Sequence, residues 1–266
     1  MLPVVDKPGI QYVVEEAVAA GITDILIITG RTKKVLEDHF DRSPELELSL
    51  ERSGKHEVVK QLQMISEMAN VYFVRQSSPR GLGHAVGMAR SFVGDEPFVV
   101  LLPDDLMSEE STLLDDMISA YERTSSSVIA LKRFGPTEIG MYGVVGAGPA
   151  DASGIVELSM LVEKPTAADA PSDLAIMGRY LLSPTVFDCI ARLRPGAGGE
   201  LQLTDALVML LETEKIYGLP FESGRYDTGN KLDWLRATVE LALRHPELGD
   251  GFRSALTDIV RREGIG

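Results

Sequence analysis

The chain has 266 residues, of which 44% are hydrophobic and 25% charged, a composition typical of a folded protein with a sizeable core. Asp and Glu outnumber Lys and Arg by 40 to 26, and the net charge of −14 argues against general binding to nucleic acid or to an anionic membrane surface. The single cysteine, Cys189, excludes an intramolecular disulfide and an all-cysteine metal site. The apolar runs are too short to span a bilayer and no secretory leader opens the sequence, so we expect a cytoplasmic protein.

Short apolar runs alternate with amphipathic stretches in the first half of the chain. This pattern is typical of an α/β fold whose mostly parallel sheet has helices on both faces. A helix begins after Pro8 and ends before Gly21, where a C-terminal cap is expected. Further helices are predicted at 32–41, within 45–69 and at 84–92. The predicted strands are 24–30, 70–76, 97–106 and 127–134.

The second half of the chain begins with a different pattern. Gly, Pro and short β-type runs dominate from 140 to 183, which predicts a small antiparallel insertion. Helical patterns return at about 184–193, 203–215, 230–244 and 250–263. There is no internal repeat and no low-complexity linker, so we expect a single domain over 1–266 with a C-terminal helical segment, 230–266.

Asp104 and Asp105 stand at the end of the most apolar predicted strand. Ligands bind at the carboxyl ends of strands in open α/β sheets, and two adjacent carboxylates there could hold a hard cation such as Mg²⁺. Asp is also favoured in turns, because its side chain bonds to the local backbone. Taken alone, the pair favours the turn.

Two further polar segments flank predicted helices. Asp227 precedes the helix that carries Trp234, and taken alone it is best interpreted as an N-cap. The stretch Gln76–Ala85 joins a strand to a helix, and its glycines let the backbone approach a flat ligand closely. Gly81-x-Gly83 lacks the third glycine of a dinucleotide-binding fingerprint, so this signal is weak by itself.

Lys164 follows Glu163 at the end of a β-type run and precedes Pro165. A lysine held between a strand and a proline can bind phosphate as a point charge, although a surface loop is the simpler interpretation without further context. Glu200 follows a glycine-rich stretch, and Thr204 just after it could cap a helix.

The order of these motifs is more informative than any one of them. GLGHAV, LPDD, VEKP, ELQLTDAL and RYDTGNK follow one another as in bacterial UTP–glucose-1-phosphate uridylyltransferases, the UDP-glucose pyrophosphorylases of the sugar-nucleotidyltransferase superfamily. The chain resembles this family from about residue 2 to 243, although LPDD and EKP are shared with relatives that make other nucleotide sugars. The resemblance implies a Rossmann-like mixed, mostly parallel sheet of the nucleotide-diphospho-sugar transferase type, with a small antiparallel insertion and C-terminal helices.

The reaction that the resemblance implies is nucleotidyl transfer from UTP to glucose 1-phosphate, which gives UDP-glucose and pyrophosphate. The sugar phosphate attacks the α-phosphorus of UTP in line. Asp104 and Asp227 are expected to coordinate Mg²⁺, and Asp105 could share or take the role of Asp104. Lys164 is expected to contact the sugar phosphate. Family members are commonly homodimers or homotetramers.

The resemblance also implies the residues that bind the two substrates. The nucleotide is expected to contact Gln76, Gly81 and Asp105, with the first two reading the uracil edge. The glucose pocket is expected to contain Gly143, Glu163, Gly178 and Glu200. A glycine beneath a sugar ring is physically reasonable, because a Cβ would leave no room for the ring.

One family element has no counterpart in the sequence given, which begins at Met1, just past its position. This element is a first strand followed by a phosphate loop of the form GxGTRxxPxTK, whose backbone N–H groups meet the triphosphate. We therefore expect the 266-residue chain to bind UTP less well than UDP-glucose. Two alternatives follow: a catalytically weak or inactive regulatory paralogue that binds a nucleotide sugar, and a relative of the thymidylyltransferase type.

Overall fold

A six-stranded sheet forms the centre of the protein, whose computed structural model describes residues 3–30 and 33–264. In chain order, the strands are β1 Pro3–Val4, β2 Lys7–Pro8, β3 Asp24–Thr29, β4 Asn70–Arg75, β5 Phe98–Leu101, β6 Asp105–Met107, β7 Ser127–Arg133, β8 Gly143–Ala150, β9 Val156–Glu163, β10 Leu174–Leu182, β11 Ile216–Pro220 and β12 Arg225–Asp227. The helices are α1 Gly9–Ala19, α2 Lys34–Phe40, α3 Pro44–Arg52, α4 His56–Glu67, α5 Leu82–Gly87, α6 Arg90–Val93, α7 Leu113–Thr124, α8 Val186–Ala191, α9 Leu203–Leu211, α10 Lys231–Arg244 and α11 Gly249–Glu263. Short 3₁₀ turns lie at Ile139–Met141 and Ala197–Gly199.

The central sheet has the strand order β5-β10-β7-β11-β9-β8. Within it, β7 and β11 are parallel, whereas the other pairings are antiparallel. β3 and β4 form a separate parallel pair. The α/β class and the mixed sheet are confirmed, and among the described pairings the antiparallel ones outnumber the parallel ones. The reason is that the antiparallel insertion contributes three of the six central strands, β8, β9 and β10.

The strand β10 lies between β5 and β7 and is buried along its whole length. Its one charged residue, Arg179, is 1% exposed. Nε and Nη2 of Arg179 donate to the carboxylate of Glu16 on α1 at 2.9 and 2.7 Å, and Nη2 also donates to the carbonyl oxygen of Asp105. A buried charge requires such partners, because removing it from water is costly. Arg179 therefore ties α1 to the strand ends at which the aspartates lie.

The strands β3 and β5 border an apolar cavity of about 960 Å³ instead of pairing with each other. The lining includes Val13 and Ala17 of α1, Ile27 of β3 and Val99 of β5. Among the described residues, β3 pairs with β4 and β5 pairs with β10, so each has a hydrogen-bonded neighbour on one side. The β3–β4 pair is thereby separated from the central sheet.

The predicted strand 97–106 is two strands separated by a turn. β5 ends at Leu101, and Pro103 has no amide hydrogen to continue a ladder. The chain turns there, and β6 begins at Asp105 and pairs with β12. Asp104 therefore lies in the turn between the two strands.

The other predicted elements correspond to observed ones, with four additional strands. The stretch 45–69 contains two helices, α3 and α4. The helix expected at 32–41 begins at Lys34, after the non-helical residue Lys33, and Thr32 lies outside the described residues. The added strands are β1, β2, β11 and β12, which were not among the predicted elements. Of these, β12 matters most, because it carries Asp227.

The C-terminal segment 230–266 is helical over most of its described part. α10 begins after Asn230, whose side-chain oxygen accepts hydrogen bonds from the N–H groups of Leu232 and Asp233. Asn230, and not Asp227, is therefore the N-cap of this helix. None of the helices in residues 3–30 and 33–264 has the length and apolar character needed to cross a membrane.

Candidate active site

Asp104 and Asp227 come together because the β6–β12 ladder joins the segments that carry them. Asp227 lies opposite Asp105 in this antiparallel pair. The backbone N–H and the hydroxyl of Thr228 donate to the carbonyl oxygen of Asp104 at 2.7 and 3.0 Å. The two aspartates that were expected to share an ion therefore lie on adjacent segments, and a shared ion stays a prediction.

Arg225 is the buried cation of this cluster. Its side chain is 7% exposed, and Nη2 lies 2.5 Å from Oδ1 of Asp105 and 3.4 Å from Oδ2 of Asp227. The guanidinium carbon lies 5.6 Å from the ring centroid of Tyr142, within the range of a cation–π contact. Because charge-assisted hydrogen bonds are strong and directional, Arg225 fixes the relative positions of the two carboxylates.

Asp105 is buried, and both of its carboxylate oxygens have protein partners. Oδ1 accepts from Nε of Arg225, and Oδ2 accepts from the backbone N–H of Gly178 at 2.9 Å. This arrangement does not support the expectation that Asp105 binds the nucleotide or takes the metal role of Asp104. It supports a role in holding Arg225.

Asp104 is exposed, in contrast, and its carboxylate forms no ion pair within the part of the chain that the structure describes. Partial desolvation raises the pKa of Asp104, and the nearby carboxylates of Asp105 and Asp227 raise it further. The protein alone therefore stabilises the ionised form of Asp104 poorly. A cation bound at this point would correct that deficit.

The donor set fits a hard divalent cation. Mg²⁺ is usually held by one or two protein carboxylates and completes its octahedral shell with water and phosphate oxygens. Asp104 and Asp227 supply two carboxylates. Within residues 3–30 and 33–264, no group of three or more Asp, Glu, His or Cys side chains forms a complete protein ligand set. The arrangement therefore fits an ion that substrate oxygens help to hold.

Lys164 follows β9 directly and has a φ of 45°, in the left-handed region that non-glycine residues rarely adopt. Its backbone N–H donates to the carbonyl oxygen of Tyr142 at 3.1 Å. Its side chain is 61% exposed, with Nζ 3.9 Å from Oε1 of Glu163. The backbone of Lys164 is thus fixed while its ammonium group remains accessible to a ligand.

Glu163, Gly143 and Thr204 meet at one point. Glu163 lies opposite Gly143 in the β8–β9 ladder, and its Oε2 accepts the hydroxyl hydrogen of Thr204 at 2.6 Å. A Cβ at Gly143 would lie 3.2 Å from both oxygens. Two of the residues expected in the glucose pocket are therefore neighbours, and glycine at 143 leaves room for the hydrogen bond between the other two side chains.

Gly178 is enclosed by protein atoms. A Cβ there would overlap the carboxylate of Asp105 and would lie 2.8 Å from Cβ of Leu102. The N–H of Gly178 is bonded to Asp105, and its carbonyl oxygen accepts from the N–H of Leu102 at 2.8 Å and from Nη1 of Arg179 at 3.0 Å. Close packing of the protein therefore requires this glycine, and the expected contact of a sugar ring with its backbone is not supported.

The turn at Gly81 is packed against Leu201. Gly81 has a φ of 97°, and a Cβ there would lie 2.7 Å from the carbonyl oxygen of Leu201. The N–H of Leu201 donates to the carbonyl of Arg80 at 2.7 Å, and the carbonyl of Leu201 accepts from the N–H of Gly83 at 2.8 Å. The GLGHA and ELQLTD motifs thus form one unit, which places Glu200 beside Gly81.

Gln76 lies just after β4, and its backbone N–H donates to the carbonyl oxygen of Thr29 at 2.8 Å. Its side-chain Nε2 lies 2.6 Å from Nδ1 of His84, on α5. Partial burial lowers the pKa of His84, and the positive charge of Arg80 lowers it further. The ring is therefore neutral at neutral pH.

Sequence reasoning missed several of these contacts. Arg225 lies two residues before Asp227, so both side chains point to the same face of a strand, and this spacing could have identified it. Tyr142 and Thr204 contact the site through packing between distant segments, and no local pattern indicates that. His84, the histidine of GLGHAV, is hydrogen-bonded to a predicted site residue.

Known proteins resemble this chain over most of its length. The sequence profile of the Nucleotidyl transferase family matches residues 1–243. UTP–glucose-1-phosphate uridylyltransferase YngB of Bacillus subtilis (strain 168) is 44% identical over 263 residues, which cover 99% of this chain and 88% of that protein. A UTP-bound UGPase from Acinetobacter baumannii superposes with a TM-score of 0.89 at 36% identity, covering 97% of this chain and 90% of the other. A UDP-glucose pyrophosphorylase complexed with UDP-glucose superposes with a TM-score of 0.83 at 37% identity, covering 92% and 90%. The family profile spans nearly the whole fold, and the fold brings the two aspartates together. The chain therefore belongs to the nucleotidyl transferase family.

Proposed function

We propose that this chain transfers the uridylyl group of UTP to glucose 1-phosphate and forms UDP-glucose and pyrophosphate. The observation that carries the proposal is the meeting of Asp104 and Asp227 across the β6–β12 ladder. It occurs in a chain that is 44% identical to a UTP–glucose-1-phosphate uridylyltransferase over 99% of its length. Structural neighbours with UTP and with UDP-glucose bound support the substrate and the product.

The reaction joins two phosphorylated anions and needs no covalent intermediate on the protein. An oxygen of the sugar phosphate attacks the α-phosphorus of UTP, while the bond from that phosphorus to the β-phosphate oxygen breaks. The protein therefore acts by positioning the substrates and by neutralising charge. The net charge of −14 makes local cations at the site more important.

The phosphate-binding end of the site contains the proposed cation ligands. Members of this family generally use a divalent metal, and we assign Mg²⁺ to Asp104 and Asp227. Mg²⁺ bound there would neutralise phosphate charge and polarise the α-phosphate. Arg225 and Asp105 hold Asp227 in position. Lys164, with its ammonium group accessible, binds the phosphate of glucose 1-phosphate.

The remaining predicted residues bind the base and the sugar. Gln76 and the backbone of Gly81 contact uracil, because an amide supplies both a donor and an acceptor to the base edge. Glu163 and Glu200 accept hydrogen bonds from glucose hydroxyls, beside Gly143. Gly178 contributes indirectly, through its hydrogen bond to Asp105.

Three measurements on the 266-residue chain separate this function from its alternatives. Formation of UDP-glucose from UTP and glucose 1-phosphate with Mg²⁺, faster than formation of dTDP-glucose from dTTP, is the expected result. Faster reaction with dTTP supports the thymidylyltransferase alternative. Binding of UDP-glucose in calorimetry without turnover in either direction supports the regulatory paralogue. A chain that neither binds UDP-glucose nor forms it contradicts the proposal.

We further propose a cytoplasmic homodimer or homotetramer. Large apolar side chains on the C-terminal helices are exposed, with Leu232 at 72%, Leu235 at 52% and Ile259 at 40%. Exposed apolar groups of this kind are typical of contact surfaces between chains. Light scattering that reports a monomer at micromolar concentration contradicts this assignment.

A further inference from the structure

Gln76 can select a base only if its amide is fixed in one orientation. The amide edge presents one acceptor, the oxygen, and one N–H donor, and half a turn exchanges them. Uracil offers a donor at N3 beside a carbonyl acceptor, whereas cytosine offers an acceptor at N3 beside an amino donor. One orientation of the amide therefore pairs with uracil and the other with cytosine. A freely turning glutamine would accept both bases.

We propose that His84 is a specificity-determining positioning residue that fixes the Gln76 amide for uracil and against cytosine. This inference rests on the proposed function, in which Gln76 contacts the base. Nε2 of Gln76 lies 2.6 Å from Nδ1 of His84, so one amide N–H is directed at the imidazole. The other N–H and Oε1 are then left for the base in one fixed order, and we assign that order to uracil.

The side chains of Gln76 and His84 both extend from fixed backbone positions, so the hydrogen bond between them holds the Gln76 amide in place. The N–H of Gln76 is bonded to the carbonyl of Thr29 at 2.8 Å, at the end of the β3–β4 pair. The N–H of Gly83, next to His84, is bonded to the carbonyl of Leu201 at 2.8 Å. The segment 77–80 between them is exposed, so the side-chain contact closes a loop that is otherwise bordered by solvent.

The acceptor role of Nδ1 requires a neutral imidazole with its proton on Nε2. Partial burial and the nearby charge of Arg80 both lower the pKa of His84, which keeps the ring neutral at neutral pH. A protonated ring would present a donor at Nδ1. It would oppose the amide N–H and favour the flipped amide.

The test compares the binding of UDP and CDP to the wild-type chain and two variants by calorimetry. His84→Leu replaces the imidazole with an apolar side chain of similar size and removes the acceptor, Nδ1. His84→Asn places an amide oxygen near the position of Nδ1 and is the matched control. We expect the preference for UDP over CDP to fall by about tenfold in H84L, since the amide can then turn to satisfy cytosine, and to stay within about twofold of wild type in H84N.

An unchanged UDP:CDP ratio in H84L would overturn the role of His84. This holds whether both affinities stay at their wild-type values or fall equally, since a merely structural role lowers both alike. The tautomer in the wild-type chain is a second measurement that needs no variant to fold. Long-range ¹H–¹⁵N correlation of His84 should show the proton on Nε2, and a proton on Nδ1 overturns the proposal. Failure of the wild-type chain to bind UDP and UDP-glucose would instead contradict the proposed function, and this inference with it.

Discussion

The two ends of the candidate site are held in place by different interactions. At the phosphate-binding end, the side chains of Arg225 and Asp105 are 7% and 9% exposed, and strand pairing fixes both. At the base-binding end, Gln76 meets His84 through one hydrogen bond between partly exposed side chains. Changes at the first end should therefore affect folding as well as catalysis. Changes at the second should affect ligand binding with little effect on folding.

The largest expected loss of stability follows the removal of the buried cation. Arg225→Met leaves Asp105 buried without its charge partner and should lower the free energy of unfolding by about 3–5 kcal/mol in urea titration. Arg90→Met is the matched control, because Arg90 and its partner Asp188 are 57% and 70% exposed. Exposed pairs of this kind contribute less than about 1 kcal/mol. A similar decrease in the free energy of unfolding in the two variants would show that burial does not increase the contribution of the Arg225–Asp105 pair to stability.

Asp104→Asn should separate catalysis from stability at the same end of the site. In the proposed mechanism the carboxylate of Asp104 holds the metal ion that stabilises charge in the transition state. Its replacement by an amide should therefore lower kcat about 10²–10³-fold. The pKa of Asp104 is raised in the folded chain, so its ionised form is less favourable there than in the unfolded chain. At neutral pH the amide should therefore leave the melting temperature unchanged or raise it slightly.

The exposed residue Asp95 provides the control for this experiment, as Asp95→Asn removes one charge far from the predicted ligands. Its kcat and melting temperature should both stay at the wild-type values. A fall in the melting temperature of Asp104→Asn that matches its loss of activity would point to a structural role for Asp104.

Gln76→Ala examines the base-binding end directly. The truncation leaves the uracil edge without its amide partner and should weaken UDP-glucose binding by about 1–3 kcal/mol in calorimetry. The unfolding transition should barely move, because Gln76 is partly exposed. Gln61→Ala, at an exposed position on α4, should change neither quantity. Unaltered UDP-glucose affinity in Gln76→Ala would remove Gln76 from the site.

The smallest expected effect is a loss of base preference in acid. The pKa of His84 is lowered from its ordinary value, so the neutral ring contributes stability above about pH 6.5 that is lost as the pH falls further. The UDP:CDP ratio should be constant from about pH 8 to pH 6.5 and should fall at lower pH, when Nδ1 becomes a donor. Using a ratio cancels the titration of the phosphates, which the two nucleotides share. The charged groups nearby are Arg80 on the same loop and Glu200 on the facing segment. If the UDP:CDP ratio of His84→Leu does not change with pH, the change in the wild-type chain is due to His84 rather than to these two residues.

Local sequence patterns predicted most helices and strands, whereas the pairings between distant segments could be identified only from the structure. The helices and the antiparallel insertion follow from hydrophobic periodicity, which a short window of sequence contains. The apolar run predicted one strand over 97–106, whereas the structure has two strands separated at Pro103, which lacks an amide hydrogen. The meeting of Asp104 with Asp227 was expected only from the resemblance. Hydrophobic periodicity does not reveal which distant strands pair, as the strands that contain residues 105 and 227 do.

The glycines show the same limit at the level of single residues. Gly178 was expected to make room for a sugar, and it makes room for Asp105. A glycine in a sequence indicates that something lies close to the backbone, but it does not indicate whether that neighbour is a ligand or the protein itself. The assignment depends on contacts across β10 and β6, which only the folded chain supplies.

The apolar cavity between β3 and β5 has a consequence for the behaviour of the protein in concentrated solution. Within the described residues, each strand has an edge without a strand partner, and such edges can template pairing with another molecule. The charged residues that line this cavity, Asp24, Glu96 and Glu122, are all acidic, so two copies repel each other there as they do through the net charge of −14. Salt shortens the range of that repulsion to about 3 Å at molar ionic strength. The proposed homodimer or homotetramer should therefore remain a discrete species in dilute buffer and associate into larger species as salt is added, which light scattering against ionic strength would record.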